Sequence, residues 1–84
     1  MFTYSTFPAY LPGTDVKVAD VETRIFASGD DRAMWDVQFL GSDDRWHTAS
    51  TEQAKTILAH IEANDVSGWG DIMATARTNP SLAA

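Results

Sequence analysis

Residues 21–40 read VETRIFASGDDRAMWDVQFL, and this stretch decides the fold. On either side of its centre, apolar and polar side chains alternate with a period of two, which is typical of half-buried β-strands. The centre, SGDD at residues 28–31, has the glycine and aspartates that favour a turn. We therefore predict an antiparallel hairpin made of a strand over residues 15–27 and a strand over residues 33–40.

The side chains of this hairpin divide into an inner and an outer set. The inner set is Val21, Thr23, Ile25, Trp35, Val37 and Phe39, and the outer set is Asp20, Glu22, Arg24, Met34, Asp36, Gln38 and Leu40. A one-residue slip between the strands would bury the polar set, so the register must keep the two sets apart. A loop over residues 29–31 does so, and it places Ile25 opposite Trp35 and Arg24 opposite Asp36.

A second turn, GSDD at residues 41–44, leads into a third strand. A four-residue loop there places Trp46 opposite Phe39 on the inner face. His47 then lies on the outer face, beside Gln38 and near Asp36. These pairings predict a sheet with an aromatic inner face and a polar outer face.

Two irregularities are expected upstream of the hairpin. Val16 and Val18 share the parity of the acidic side chains, and a β-bulge near Ala19 would restore the alternation. The first residues, around Tyr4, predict a short edge strand, which Pro8 should end because proline cannot donate a ladder hydrogen bond.

Two helices are predicted after the sheet. Ser50-Thr51-Glu52-Gln53 has the spacing of a capping box, in which the serine and glutamine side chains satisfy free backbone N–H groups. Apolar residues at helical spacing follow it as far as Asn64, which we expect to end the helix in the left-handed conformation. A second apolar stripe covers residues 69–76, and Pro80 should end that helix. Because each helix is too short to be stable alone, both should pack on the inner face of the sheet.

The predicted fold class is α+β: an antiparallel three- to four-stranded meander with two short C-terminal helices packed on one face. The 84 residues are enough for a single domain, residues 1–84, with one core. The core is expected to consist of Val21, Ile25, Trp35, Val37, Phe39, Trp46, Ile57, Leu58, Ile61, Trp69, Ile72 and Met73.

Composition narrows the classes of function. The chain has no cysteine, which excludes disulfides and thiolate metal sites and fits a reducing, cytoplasmic compartment. No apolar run approaches the ~20 residues of a membrane span, and the N-terminus has no positively charged secretory signal. Twelve carboxylates against six lysines and arginines give a net charge of −6, which repels nucleic acid and anionic lipid. The same charge favours a basic protein surface as partner; alternatively, it only keeps the protein soluble.

No pattern predicts catalysis, a cofactor or a metal site, so we expect a protein that is not an enzyme. His47 has no cleft and no nucleophile fixed beside it in sequence, and His60 is expected to be a partly exposed helix histidine. The aspartate pairs at residues 30–31 and 43–44 lack the spacing of a calcium loop. Gly68 and Gly70 precede a helix without the lysine of a phosphate-binding loop, and we interpret them as turn residues beside a core tryptophan.

The outer sheet face is the candidate binding surface. Its predicted partner-binding residues are Tyr4, Tyr10, Asp20, Glu22, Asp36 and Gln38. Same-face neighbours on a strand lie about 6.7 Å apart, so the carboxylates would form a flat acidic grid suited to lysine and arginine side chains. The tyrosines would add the aromatic contacts that interfaces favour. The alternative is an ordinary solvated sheet face.

Three pieces of the C-terminal half carry a resemblance to a known family: residues 50–53 (STEQ), residues 67–70 (SGWG) and residues 79–80 (NP). The chain resembles the small phage anti-CRISPR proteins, specifically the type I inhibitors that bind the Cas7-like backbone of the Cascade surveillance complex. The resemblance implies an antiparallel sheet backed by two helices, with the sheet side docked on basic Cas subunits in the cytoplasm of the infected host. It also implies that target DNA binding is blocked without contact to nucleic acid, with Tyr4 and Glu22 as contact residues by position.

Acidic residues where that family has aromatic contacts would suit a more electrostatic inhibitor, in part a mimic of DNA phosphates. Two alternatives from other classes remain open at the level of sequence. One is an unrelated acidic interaction module, such as an antitoxin or a phage accessory protein. The other is a small enzyme, which would need polar groups converging around His47.

Overall fold

The computed structural model of the chain describes residues 2–64 and 68–78. In this part of the chain, four strands form one antiparallel sheet in chain order, and two helices follow. The elements are β1 (Thr3–Tyr10), β2 (Lys17–Phe26), β3 (Asp36–Leu40), β4 (Trp46–Thr48), α1 (Thr51–Ala63) and α2 (Gly68–Thr78). The predicted α+β meander with two C-terminal helices is therefore confirmed.

Strand β1 is longer than predicted, because it continues through Pro8 instead of ending there. As an edge strand it has one side without a neighbour, where the missing N–H of a proline costs no ladder bond. The predicted bulge is present beside Ala19. Ala19 faces Ala9, whereas Lys17 faces the next residue of β1, so Val18 is the extra residue. The bulge does not bury Val18, which stays 56% exposed.

The pairing of β2 with β3 differs from the prediction by two residues. Ile25 faces Val37 and Arg24 faces Gln38, not Trp35 and Asp36. The connection is longer than a three-residue loop because residues 32–34 form a turn of 3₁₀ helix. Since the difference is two residues, both strands keep the predicted inner and outer sets.

Two side-chain hydrogen bonds fix this longer connection. Asp31 caps the 3₁₀ turn by accepting from the N–H of Ala33 at 3.1 Å. The indole Nε1 of Trp35 donates to the carbonyl oxygen of Gly29 at 2.9 Å. Trp35 is thereby held at the end of the sheet, where it is only 6% exposed.

The pairing of β3 with β4 differs by one residue, and this reverses the two faces of β4. Gly41 N–H donates to the carbonyl of Arg45 at 2.9 Å, so the loop has three residues and not four. The last of them, Asp44, has φ of 60°, the left-handed conformation that three-residue hairpin loops use. Leu40 therefore faces Trp46. The prediction of an inner Trp46 was wrong.

Helix α1 begins with the predicted capping box. Ser50 Oγ accepts from the N–H of Gln53 at 3.2 Å, and Gln53 Oε1 accepts from the N–H of Ser50 at 2.9 Å. Asn64 caps the other end, but at φ of −100° it is not in the predicted left-handed conformation. The predicted end of the second helix at Pro80 lies outside the described residues.

Helix α2 packs against β1 through a glycine. Gly68 is buried, and a Cβ there would lie 3.3 Å from the side chain of Ser5, so a larger residue would require a small shift of Ser5. Gly70 has open space around it. Trp69 is partly buried, with its ring 6.2 Å from that of Trp35.

The core lies between the inner face of the sheet and the two helices. It consists of Ile25, Ala27, Trp35, Val37, Ile57, Leu58, Ile61, Ile72 and Ala76. Burying one such aliphatic side chain stabilises the fold by roughly 1.5–3 kcal/mol relative to leaving it exposed. Five residues of the predicted core are only partly buried, namely Val21, Phe39, Trp46, Trp69 and Met73.

Candidate interaction surface

The outer sheet face is the side of the sheet that does not carry the core. Strand pairing places there Thr6, Pro8, Asp20, Glu22, Tyr4, Arg24, Gln38, Thr48, Phe26, Asp36, Leu40 and Trp46. This face was predicted to be polar, but it also holds large aromatic side chains. Asp20 and Glu22 lie at one end of it, whereas Asp36 faces Phe26 at the other.

Four residues form what we call the arginine–aromatic cluster: Phe2, Tyr4, Arg24 and Trp46. The guanidinium carbon of Arg24 lies 4.8 Å from the ring centroid of Phe2 and 4.3 Å from that of Trp46. Both distances are within the range of cation–π attraction. The ring of Tyr4 meets that of Trp46 edge-on at 6.3 Å and is 66% exposed. The cluster exists because the three-residue loop turns Trp46 outward.

A chain of side-chain hydrogen bonds connects Arg24 to the next strand. Its Nε donates to Oε1 of Gln38 at 2.6 Å, and Nε2 of Gln38 donates to Oδ2 of Asp36 at 3.0 Å. Gln38 therefore stands where a direct contact between Arg24 and Asp36 was predicted. Among the described residues, no hydrogen bond or ion pair involves the Nη1 or Nη2 atoms of Arg24.

The predicted acidic grid is divided by this cluster. Glu22 and Asp20 precede Arg24 on β2, facing Thr6 and Pro8, while Asp36 lies on the far side of Gln38. Asp20 is also paired with Lys17, at 3.2 Å. The carboxylates share one face, as predicted, but they do not form a continuous patch.

Of the six predicted partner-binding residues, Tyr4, Asp20, Glu22, Asp36 and Gln38 lie together on the outer sheet face. Tyr10 lies at the far end of β1 beyond the bulge, opposite Lys17, and is 49% exposed.

Sequence reasoning missed Phe2 and Trp46 as surface residues. For Trp46, the sequence does contain a signal, which lies in the loop at residues 42–44. An aspartate tolerates the left-handed conformation, and a three-residue loop that ends in such a residue is a common hairpin connection.

His47 lies on the inner side of β4, not on the outer face near Asp36 as predicted. Its ring stacks on that of Phe39 with centroids 5.6 Å apart. Its Nε2 lies 3.0 Å from both carboxylate oxygens of Asp43. This hydrogen bond, together with one from the N–H of Arg45, lowers the pKa of the Asp43 carboxyl. The pair lies on an exposed hairpin, and its two side chains are 44% and 50% exposed.

His60, the other histidine, lies on α1 beside the sheet. Its ring meets that of Phe7 edge-on, with centroids 5.1 Å apart, and its Nδ1 lies 3.2 Å from the side-chain nitrogen of Asn64. These contacts fix the end of the helix against β1.

An open groove of about 350 Å³ lies between the first half of α1 and the sheet. Its wall is mostly apolar, with Phe7, Val21 and Phe39 on the sheet side and Ile57 on the helix. Thr23 also contributes, and its fully buried Oγ1 has no hydrogen-bond partner among the described residues. The inner face is therefore less tightly packed at this end than around the core cluster.

Within residues 2–64 and 68–78, no three His, Asp or Glu side chains are grouped so as to hold a metal ion. None of the helices described is long and apolar enough to cross a membrane. Comparisons with protein families, with curated proteins and with solved structures found no match.

Proposed function

We propose that this protein is a phage anti-CRISPR inhibitor that binds a type I Cascade complex through its outer sheet face and blocks target DNA binding. The observation that carries the proposal is the arginine–aromatic cluster on the sheet face opposite the core, in which Tyr4 is exposed and the other three side chains are partly buried. Tyrosine, tryptophan and arginine are the residues most enriched among interface hot spots. A cluster of them outside the core is expensive to leave in water, which favours a role in binding.

The fold supports the proposal, because the family that the sequence resembles has an antiparallel sheet backed by two helices. Tyr4 and Glu22, the two contact residues implied by the resemblance, lie on the same open face. The N-terminal tyrosine is the most exposed of the large apolar side chains in the described chain, at 66%.

The charge distribution suggests how such an inhibitor would work. Glu22 and Asp20 extend the outer sheet face away from the aromatic rings and would meet lysines and arginines of a Cas7-like subunit. The net charge of −6 would speed encounter with a basic surface. The inhibitor would then occupy protein surface that guides target DNA, acting in the host cytoplasm without binding nucleic acid itself.

The test is inhibition of purified type I complexes of different subtypes, measured as loss of target DNA binding when the protein is added. A plaque assay on hosts carrying the same systems gives the result in cells. We expect Tyr4→Ala and Glu22→Lys each to weaken binding to the sensitive complex by about tenfold or more.

Glu52→Lys is the matched control for Glu22→Lys, since Glu52 is an exposed glutamate on α1. It should leave inhibition unchanged. Folding of all variants is checked by circular dichroism. Normal inhibition by folded Tyr4→Ala and Glu22→Lys, or no inhibition of any type I complex, would contradict the proposal.

A further inference from the structure

Arg24 lies at the centre of the outer sheet face of an acidic protein, and its two terminal nitrogens have no hydrogen bond or ion pair within residues 2–64 and 68–78. From this geometry we infer that Arg24 is the anchor of a carboxylate-binding site, which receives an aspartate or glutamate side chain of the partner protein. The inference rests on the proposed function in taking the outer sheet face as the docking surface. Glu22 and Asp20 would bind basic groups of the partner, whereas Arg24 would bind an acidic one.

The guanidinium of Arg24 is already fixed in orientation. The bond from its Nε to Gln38 sets the rotation of the plane, and the rings of Phe2 and Trp46 lie over the group at 4.8 and 4.3 Å. Nη1 and Nη2, whose N–H groups match the two oxygens of a carboxylate, have no hydrogen-bond partner among the described residues. An arginine held in this way loses little conformational entropy when it binds.

A second arginine of the same chain, Arg32, has both an aromatic ring beside its guanidinium and a carboxylate bound to it. The guanidinium of Arg32 lies 4.7 Å from the ring centroid of Trp69, and its Nη1 and Nη2 donate to the two oxygens of Glu62 at 2.7 and 3.2 Å. Arg24 has the aromatic support without the carboxylate. Asp36, the nearest candidate on β3, instead accepts from Gln38.

The surroundings select a protein carboxylate over the phosphates of a nucleic acid. Glu22 and Asp36 share the face with Arg24, and the whole chain carries a charge of −6. A polyanion would be repelled by these groups, whereas one carboxylate with apolar neighbours meets a single cation framed by aromatic rings. The expected partner segment is therefore an acidic residue beside apolar ones.

The test uses small probes on the isolated protein, followed by nuclear magnetic resonance of the Arg24 Nε–H and the Trp46 indole N–H. Benzoate combines a carboxylate with an apolar ring, and benzamide is its neutral analogue of the same shape. We expect benzoate to shift both signals in a saturable way at millimolar concentrations. Benzamide should bind more weakly than benzoate by a factor of about ten or greater. Arg24→Gln should abolish the difference between the probes, and Arg77→Gln, on exposed α2 surface, should preserve it.

Equal shifts from the two probes, or no shift from benzoate, would overturn the inference, and this comparison needs only the unaltered protein. Shifts of the same signals by a thymidine oligonucleotide would also overturn it, in favour of nucleic acid. The inhibition assay separates the two claims. If the protein inhibits Cascade but does not discriminate between benzoate and benzamide, only the carboxylate site is refuted. If it prefers benzoate but inhibits no type I complex, only the proposed function is refuted.

Discussion

The two faces of the sheet use similar side chains for different purposes. On the inner face, Ile25 and its neighbours are fully buried under two helices. On the outer face, Trp46 and Tyr4 lie around a cation, on the side of the sheet opposite the core. The comparison teaches that aromatic content alone does not identify the core of a small domain. What separates the faces is whether the apolar groups are covered by another element or organised around a charge.

The largest expected effect is a difference in unfolding free energy between a substitution on α1, which covers the inner face, and one on the outer face. Ile61 is fully buried, so Ile61→Ala should lower the free energy of unfolding by about 2–5 kcal/mol, from lost burial and the cavity it leaves. Trp46→Ala removes a larger but only partly buried side chain and should cost less, about 1 kcal/mol. Urea unfolding measures both, with Val18→Ala, at a site 56% exposed, as a control within about 0.5 kcal/mol of the unaltered protein. Equal losses for Ile61→Ala and Trp46→Ala would mean that the outer face is a second core.

The next effect concerns what keeps the inner face covered. Ser50→Ala removes the side-chain acceptor that caps α1 and should cost about 1 kcal/mol of unfolding free energy. Thr51→Ala, at the neighbouring exposed position without a capping bond, is the matched control and should change little. If the two variants unfold at the same urea concentration, the capping box does not help to hold the helix on the sheet.

The assignment of side chains to the two faces of the sheet was correct where the predicted strand pairing was wrong by two residues. The β2–β3 connection was taken as three residues, but a 3₁₀ turn lengthens it and displaces the pairing of Ile25 by two residues. A period-two pattern is unchanged by such a displacement, so Glu22, Asp36 and Gln38 still came out on one face. Nothing in the tripeptide at residues 32–34 distinguishes a 3₁₀ turn from the first residues of a strand.

The candidate site was only half predictable, because the face on which Trp46 lies depends on the exact length of the loop before β4. An error of one residue there exchanges the two faces of the strand. One residue too many in the loop before β4 moved Trp46 from the outer face to the inner one in the prediction. The arginine–aromatic cluster then disappears from the predicted outer face. Loop conformation at Asp44 is decided by a few hydrogen bonds, which hydrophobic patterning does not report.

A third change tests the loosely packed end of the inner face. Thr23→Val replaces a buried hydroxyl that has no hydrogen-bond partner among the described residues by a methyl group of similar size. We expect the protein to become more stable by about 1 kcal/mol, since an unpaired buried polar group is removed. Thr6→Val, on the exposed outer face, is the control and should stay within about 0.5 kcal/mol. Destabilisation by Thr23→Val would show that the hydroxyl is satisfied in solution.

The smallest effect distinguishes the two arginines and appears only in acid. The side-chain hydrogen bond from Arg32 lowers the pKa of the Glu62 carboxyl. A carboxyl with a lower pKa in the folded state stabilises the fold above its unfolded pKa, and this contribution is lost as the pH falls through the folded pKa. Glu62→Gln should therefore reduce the loss of unfolding free energy on acidification, measured by urea unfolding at a series of acidic pH values.

Arg24→Gln should leave that acid dependence unchanged, because Arg24 forms no ion pair within the described chain. If Arg24→Gln instead altered the acid limb as Glu62→Gln does, an internal carboxylate would already occupy the guanidinium in solution. The two arginines would then be equivalent, and the outer sheet face would have no cation to offer a partner.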